Sequence, residues 1–155
     1  MARAFRPGLV LLAGLLGVVM LSGCGGRTVV VRSEGGDVLV RADVPASGRF
    51  ALEYLHSYYR EPARESFTVD GSGFAMVEVA SPSEAVLDYY ELAGRKRPGG
   101  WMRLTPARPR HFERLALIAT ATGRRTLAVG GRRYPLFAGA APRHITIEVQ
   151  DATWP

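Results

Sequence analysis

The 155-residue chain has a single cysteine, Cys24, so no disulfide can form within it. Lysine is nearly absent: Lys96 is the only one, and every other basic residue is arginine. The three histidines, His56, His111 and His144, show neither a His-x-His nor a His-Glu-x-x-His spacing. No local motif therefore supplies the three or four ligands of a metal site. A Gly-x-Ser-x-Gly elbow, the local sign of one large class of serine hydrolases, is missing as well. No internal repeat is visible, and no convincing helix follows the N-terminal segment. The one long apolar run, Leu9 to Leu21, has about 13 residues, short of the roughly 20 that a spanning helix needs. Even so, 47% of residues are hydrophobic and 22% charged, which is the composition of a folded chain. The roughly 130 residues beyond the apolar run bury enough surface to fold without disulfides.

The apolar run explains the start of the chain. Arg3 and Arg6 precede it, and Ser22 and Gly23 follow it. A basic start, an apolar centre and small residues at the end are the layout of a secretory signal. Leu21-Ser22-Gly23-Cys24 resembles the bacterial lipobox, with the lone cysteine at the lipidated position. The expected organisation is a signal peptide over residues 1–23, a tether over 24–27, a β-sandwich domain over 28–150 and a tail over 151–155. Acyl chains on Cys24 would supply about 0.8 kcal/mol per buried methylene, enough for stable anchoring with two or three chains. The expected location is the cell envelope on the extracytoplasmic, periplasmic side. Gly25 in place of Asp favours the outer membrane if the source is Gram-negative. Export makes nucleic acid an unsuitable partner, so the basic balance points elsewhere.

Beyond Gly23 the chain carries 18 basic and 14 acidic residues. From Cys24 to Glu91 there are 6 basic and 11 acidic residues; from Leu92 to Pro155 there are 12 and 3. Part of this polarity is read as pairing between halves packed face to face. A basic C-terminal half also suits anionic headgroups or an acidic partner surface.

The remainder reads as strands. Two-residue alternation recurs in Asp37–Val44, Arg49–Ser57, Arg64–Asp70 and His144–Val149. Asp70-Gly71-Ser72-Gly73 is a turn signal, and Gly130-Gly131 supplies the positive φ angles of a tight hairpin. Val86 to Leu92, rich in branched and aromatic residues, is read as a strand, with a short helix capped by Ser83 as the alternative. Arg95–Gly100 and Thr105–Arg110 are read as loops. The expectation is an all-β fold: an antiparallel sandwich or partly open barrel of about nine or ten short strands.

One constellation stands out. If Arg49–Ser57 and Arg64–Asp70 form a hairpin with their apolar faces merged, Tyr54 faces Phe67, Leu52 faces Val69 and His56 faces Glu65. Such neighbours have Cβ atoms about 5 Å apart, so an imidazole–carboxylate pair would end the inward stripe. The carboxylate would fix the imidazole tautomer and favour its charged form. The aromatic strand ending in His56-Ser57, then Pro62, then Glu65-x-Phe67, resembles the bacterial domain-of-unknown-function family 1850. The hairpin in Leu115–Leu136, with Tyr134-Pro135-Leu136, is similar too, and the resemblance runs over about residues 49–149. Family members carry a Gly-rich segment with a proline after the third strand, and Ser83–Glu91 here has no glycine. Many members are encoded beside tripartite (TRAP-type) solute transporters of the TAXI group. The resemblance thus implies an envelope accessory role and assigns no activity.

Catalysis is weighed against structure at the same residues. His56 and Ser57 adjoin, but consecutive strand residues point to opposite faces, so the imidazole would not activate that hydroxyl. A binding rim is expected from Tyr58, Tyr59, Arg95, Lys96, Arg97 and Trp101, since tyrosine and tryptophan offer an apolar body with a polar tip. The favoured reading is a lipid-anchored, non-enzymatic domain, without cofactor or bound metal, that binds a transporter, another envelope protein or a solute. The alternative is a hydrolase or metal-binding protein centred on His56 and Glu65.

Overall fold

A computed structural model describes residues 26–152 of the chain. The expected signal peptide, the lipobox-like motif with Cys24 and the last three residues lie outside the described residues. The elements follow in the order β1 (Arg27–Ser33), β2 (Val38–Asp43), β3 (Arg49–Leu55), β4 (Pro62–Asp70), β5 (Gly73–Ser81), α1 (Glu84–Asp88) and β6 (Gly94–Arg97). Then come β7 (Met102–Pro106), β8 (Arg110–Phe112), β9 (Arg114–Ala119), β10 (Thr126–Val129), β11 (Arg132–Pro135) and β12 (Arg143–Asp151). The all-β expectation holds, with twelve strands and one short helix among the described residues.

All pairing is antiparallel, in two sheets. One has four strands in the order β2-β1-β12-β9. The other has eight, in the order β11-β10-β3-β4-β5-β7-β6, with β8 pairing separately onto β5. Their inner faces share one core. Val29, Val31, Ile145, Ile147 and Val149 come from the four-stranded sheet. Phe50, Leu52, Phe67, Phe74, Met76, Val79 and Leu127 come from the larger one. Strand β12 shows why the pattern reads cleanly. Ile145, Ile147 and Val149 are buried while His144, Thr146, Glu148 and Gln150 between them reach outward, as a half-buried strand requires.

Both turn signals act as expected. Val129 pairs with Arg132 across Gly130 and Gly131, which hold φ of +57° and +77°. Asp70 pairs with Gly73.

Three expectations need correction. Residues 86–92 are not a strand: the chain forms helix α1, where neighbouring Val86 and Leu87 are both buried, which strict alternation forbids. Ser83 stands at its N-cap, although the side chain makes no capping bond. The basic stretch expected as a loop contains strand β6, which closes the edge of the larger sheet against β7. Solvated basic side chains on an edge discourage further pairing, so a charge run can be a strand. Finally, the β3–β4 hairpin has another register: Phe50 faces Phe67, Leu52 faces Glu65, Tyr54 faces Ala63 and Leu55 faces Pro62. The six-residue loop has the expected length but begins two residues earlier, at His56. Pro62, lacking an N–H, suits the first position of a strand, and Arg60 at φ +59° turns the chain just before it.

Candidate functional site

The hairpin correction redistributes the expected site. Glu65 stands opposite Leu52, not His56, and among the described residues the two make no ion pair. The Glu65 carboxylate instead meets two tyrosines. The Tyr90 hydroxyl donates to Glu65 Oε1 at 2.5 Å, and the Tyr54 hydroxyl reaches the same oxygen at 3.4 Å. The two hydroxyls also contact one another. Tyr54 comes from β3, Glu65 from β4 and Tyr90 from the turn after α1, where Glu91 at φ +50° redirects the chain. The Arg125 guanidinium lies 4.8 Å from the Tyr54 ring centre and donates from Nε to the Ile118 carbonyl. Burial first, and the Glu65 charge second, push both phenols far above their ordinary range. Both therefore stay protonated and act as donors. The node ties the helix segment to the hairpin.

His56 opens the β3–β4 loop. Its N–H donates to the Glu61 carbonyl and its own carbonyl accepts from Arg60 N–H, each at 2.8 Å. The imidazole is buried, and Nδ1 accepts from the Tyr59 N–H at 3.3 Å. That assigns the proton of the neutral ring to Nε2. Tyr89 packs edge-on against the ring at 4.7 Å between centres, and Tyr59 lies at 5.2 Å. Burial lowers the imidazole below its ordinary range, opposite to the shift expected from a carboxylate partner. Around this ring Tyr58 is 77% and Tyr89 63% exposed, and Tyr58 meets Tyr59 at 4.9 Å. The result is an aromatic knob at one end of the sandwich.

The other sequence-derived residues separate. Ser57 is exposed in the turn and has no hydrogen bond to His56. Pro62 is structural: its carbonyl accepts the hydroxyl of Ser81 at 2.8 Å. Ser81 is fully buried, takes the Ser83 N–H as well, and went unnoticed in the sequence. Phe67 belongs to the core, stacked on Phe50 at 5.1 Å. The expected rim does not assemble. Tyr58 and Tyr59 join His56; Arg95, Lys96 and Arg97 lie along edge strand β6; Trp101 lines a separate trough. Lys96 is taken up by helix α1, bonding Glu84 at 3.0 Å and also Asp88. His111 Nδ1 lies 3.2 Å from the Asp70 carboxylate and His144 sits on β12. Among the described residues no three His, Cys, Asp or Glu side chains converge as metal ligands.

Residues 50–136, more than half of the chain, match the family described as Domain of unknown function (DUF1850). The chain belongs to that family. The match takes in β4 to β11 and all but the first residue of β3, and so nearly the whole eight-stranded sheet. It stops short of β12 and excludes β1 and β2, where the expected resemblance ran on to residue 149. No curated protein and no solved structure matches the chain. Within this DUF1850 domain, Tyr90 and Arg125 are the site residues that sequence reasoning missed. Tyr90 packs against the core beside exposed Tyr89, and its bond to a carboxylate 25 positions away leaves no local trace.

Proposed function

We propose that this DUF1850 protein is a lipid-anchored, extracytoplasmic binding domain that docks an envelope protein, a component of a solute transport system, through the tyrosine knob around His56. The single observation that carries the reading is the knob itself. Large aromatic side chains left in solvent around a buried ring, on a loop fixed by backbone hydrogen bonds, suit a partner surface. Tyrosine spends little side-chain entropy on binding and offers a hydroxyl at its tip. The Tyr54–Glu65–Tyr90 node beneath it supports a rigid base. The Leu21-Ser22-Gly23-Cys24 motif supports the anchor. Strand β1 begins three residues after Cys24, so the tether spans about 10 Å at most.

No observation favours the hydrolase or metal reading: the Nδ1 lone pair of His56 is taken by a backbone N–H, and Glu65 serves two phenols.

Two substitutions test the proposal together. Cys24→Ser is expected to leave unprocessed or soluble protein and to abolish labelling by radioactive palmitate. Processed Cys24→Ser protein that still partitions with detergent-extracted membranes removes the anchor. In anchored protein, Tyr58→Ala with Tyr89→Ala is expected to abolish in-cell crosslinking to the neighbouring envelope component without shifting the melting temperature. Unchanged crosslinking removes the knob as the docking surface.

A further inference from the structure

The β6–β7 hairpin brings two arginines together on the outer face of the eight-stranded sheet. Its register sets Arg97 opposite Arg103 and Lys96 opposite Leu104. Leu104 is buried and Lys96 reaches Glu84 and Asp88 on α1, so Arg97 and Arg103 take the other face. Beyond Arg103 the same row continues with Ala80 on β5 and Arg64 on β4. In the next row Ala128, Ala51 and Ser66 stand side by side on β10, β3 and β4. These small residues leave a low floor under an open trough of about 910 Å³, which Trp101 and Arg103 border at the hairpin.

Side chains directly opposite one another have Cβ atoms about 5 Å apart, where like charges repel. Nearby carboxylates offset this only in part. Arg103 uses Nη1 alone on Glu78, at 3.2 and 3.4 Å from its two oxygens, so Nε and Nη2 keep no acceptor among the described residues. Arg97 is exposed and has no carboxylate within ion-pair distance among the described residues. Arg64, beyond Ala80, is committed to Glu53 at 3.1 Å. Trp101, 44% exposed, stands two residues before Arg103, about 7 Å along the chain. Two guanidinium groups with free donors and one open indole thus lie within reach of a single small molecule.

We propose that this corner binds a small planar organic anion, its phosphate or carboxylate between Arg97 and Arg103 and its ring on the Trp101 indole. Guanidinium forks match such oxygens two at a time, and the anion relieves the repulsion across the hairpin. Placement bears on its source. Strand β7 begins where Met102 pairs with Ser81, whose hydroxyl donates to the Pro62 carbonyl at the knob end of β4. Strand β1 begins at the opposite end. There Val44 N–H donates to the Arg27 carbonyl at 2.7 Å, and the Asp43 carbonyl lies beside Gly130. Val129, next to Gly130, pairs with Phe50 at the start of β3. A lipid headgroup at the foot of a tether entering β1 is therefore at the wrong end, and the ligand is a soluble solute. The inference stands apart from the docking role of the knob, and Tyr58→Ala with Tyr89→Ala is expected to leave it untouched.

The test uses the full-length chain in a nonionic detergent at low salt. It is titrated calorimetrically with inorganic phosphate, phenyl phosphate and dihexanoyl-phosphatidylglycerol. Saturable binding is expected, tightest for phenyl phosphate. Arg97→Gln and Arg103→Gln are each expected to weaken it about fivefold or more, as loss of a charge-assisted pair would. Trp101→Ala should bring phenyl phosphate down to the level of inorganic phosphate. Melting curves identify any variant that fails to fold, and Arg97→Gln on an exposed edge strand carries the test if Arg103→Gln does. Absence of saturable heat up to about 10 mM phenyl phosphate, beyond the weakest millimolar sites, overturns the proposal. Phosphatidylglycerol binding more tightly than phenyl phosphate overturns it too, by making the ligand a headgroup. It is equally overturned if Arg108→Gln, exposed and outside the hairpin corner, weakens binding as much as Arg97→Gln.

Discussion

The two sheets share a core but divide the rest. The four-stranded sheet joins the beginning and end of the described chain, β1 against β12, and there Glu148 accepts from Arg32 at 2.9 Å and meets Arg114 at 3.5 Å. The eight-stranded sheet carries the tyrosine–carboxylate node on its inner face and, but for the first residue of β3, lies within the DUF1850 match. The smaller sheet is a cover that completes the core; the larger one carries the tyrosine–carboxylate node and leads into the aromatic knob around His56.

The sharpest way to break that comparison is through the shared core. Phe67→Ala in the larger sheet should cost about 3–5 kcal/mol, and Ile147→Ala in the smaller about 2–5 kcal/mol, from lost burial plus the cavity left behind. Both side chains are fully buried in the same cluster, so each variant should unfold in one transition with an unchanged denaturant slope. Two separated transitions in either variant would mean that the sheets are independent units.

Next in size is the node. Glu65→Ala strands two half-buried phenolic donors and should cost about 1–3 kcal/mol in urea unfolding. Glu65→Gln keeps a carbonyl acceptor and should cost less. Equal losses would show that the charge rather than the acceptor matters. That carboxylate also marks where sequence reading stopped. Alternation placed Tyr54, Glu65 and Phe67 on the inner face correctly, because parity alone decides the face. It could not choose between registers differing by an even number of residues, and the pairing of Tyr54 with Ala63 rather than Phe67 is such a slide. Local signals served well where they were local: the Gly130-Gly131 hairpin and β12 fell where expected. The trough could not be read at all, since its floor and walls come from separate strands with no common spacing.

A smaller effect separates the knob from the sheets by pH. In the folded state burial holds the His56 imidazole below its ordinary value of 6.5, so the neutral ring is favoured. The unfolded chain then binds a proton first as pH falls. The stability linked to this ring is complete above about pH 6.5 and is lost as pH drops through the lowered folded value. Protonation would also remove the Nδ1 acceptor of the Tyr59 N–H. His56→Asn, which offers an oxygen near that position, should flatten this part of the stability–pH curve between pH 7 and 5. Identical slopes for the two proteins would remove His56 as the cause.

The smallest effect lies in the surface ion pairs, where the two sheets can be compared directly. Arg32–Glu148 on the smaller sheet has side chains 33% and 14% exposed; Arg103–Glu78 in the trough has 57% and 27%. Exposed pairs are worth about 0.2–1 kcal/mol in double-mutant cycles and weaken with salt. The Arg103–Glu78 cycle should fall at the low end and fade in high salt. The Arg32–Glu148 cycle should be larger and fade less, because Glu148 is half-withdrawn from water and also accepts from Gln150 at 2.7 Å. If the Arg103–Glu78 pair proves the stronger, exposure does not set the strength of these pairs, and the contrast between the two sheets fails at their surfaces.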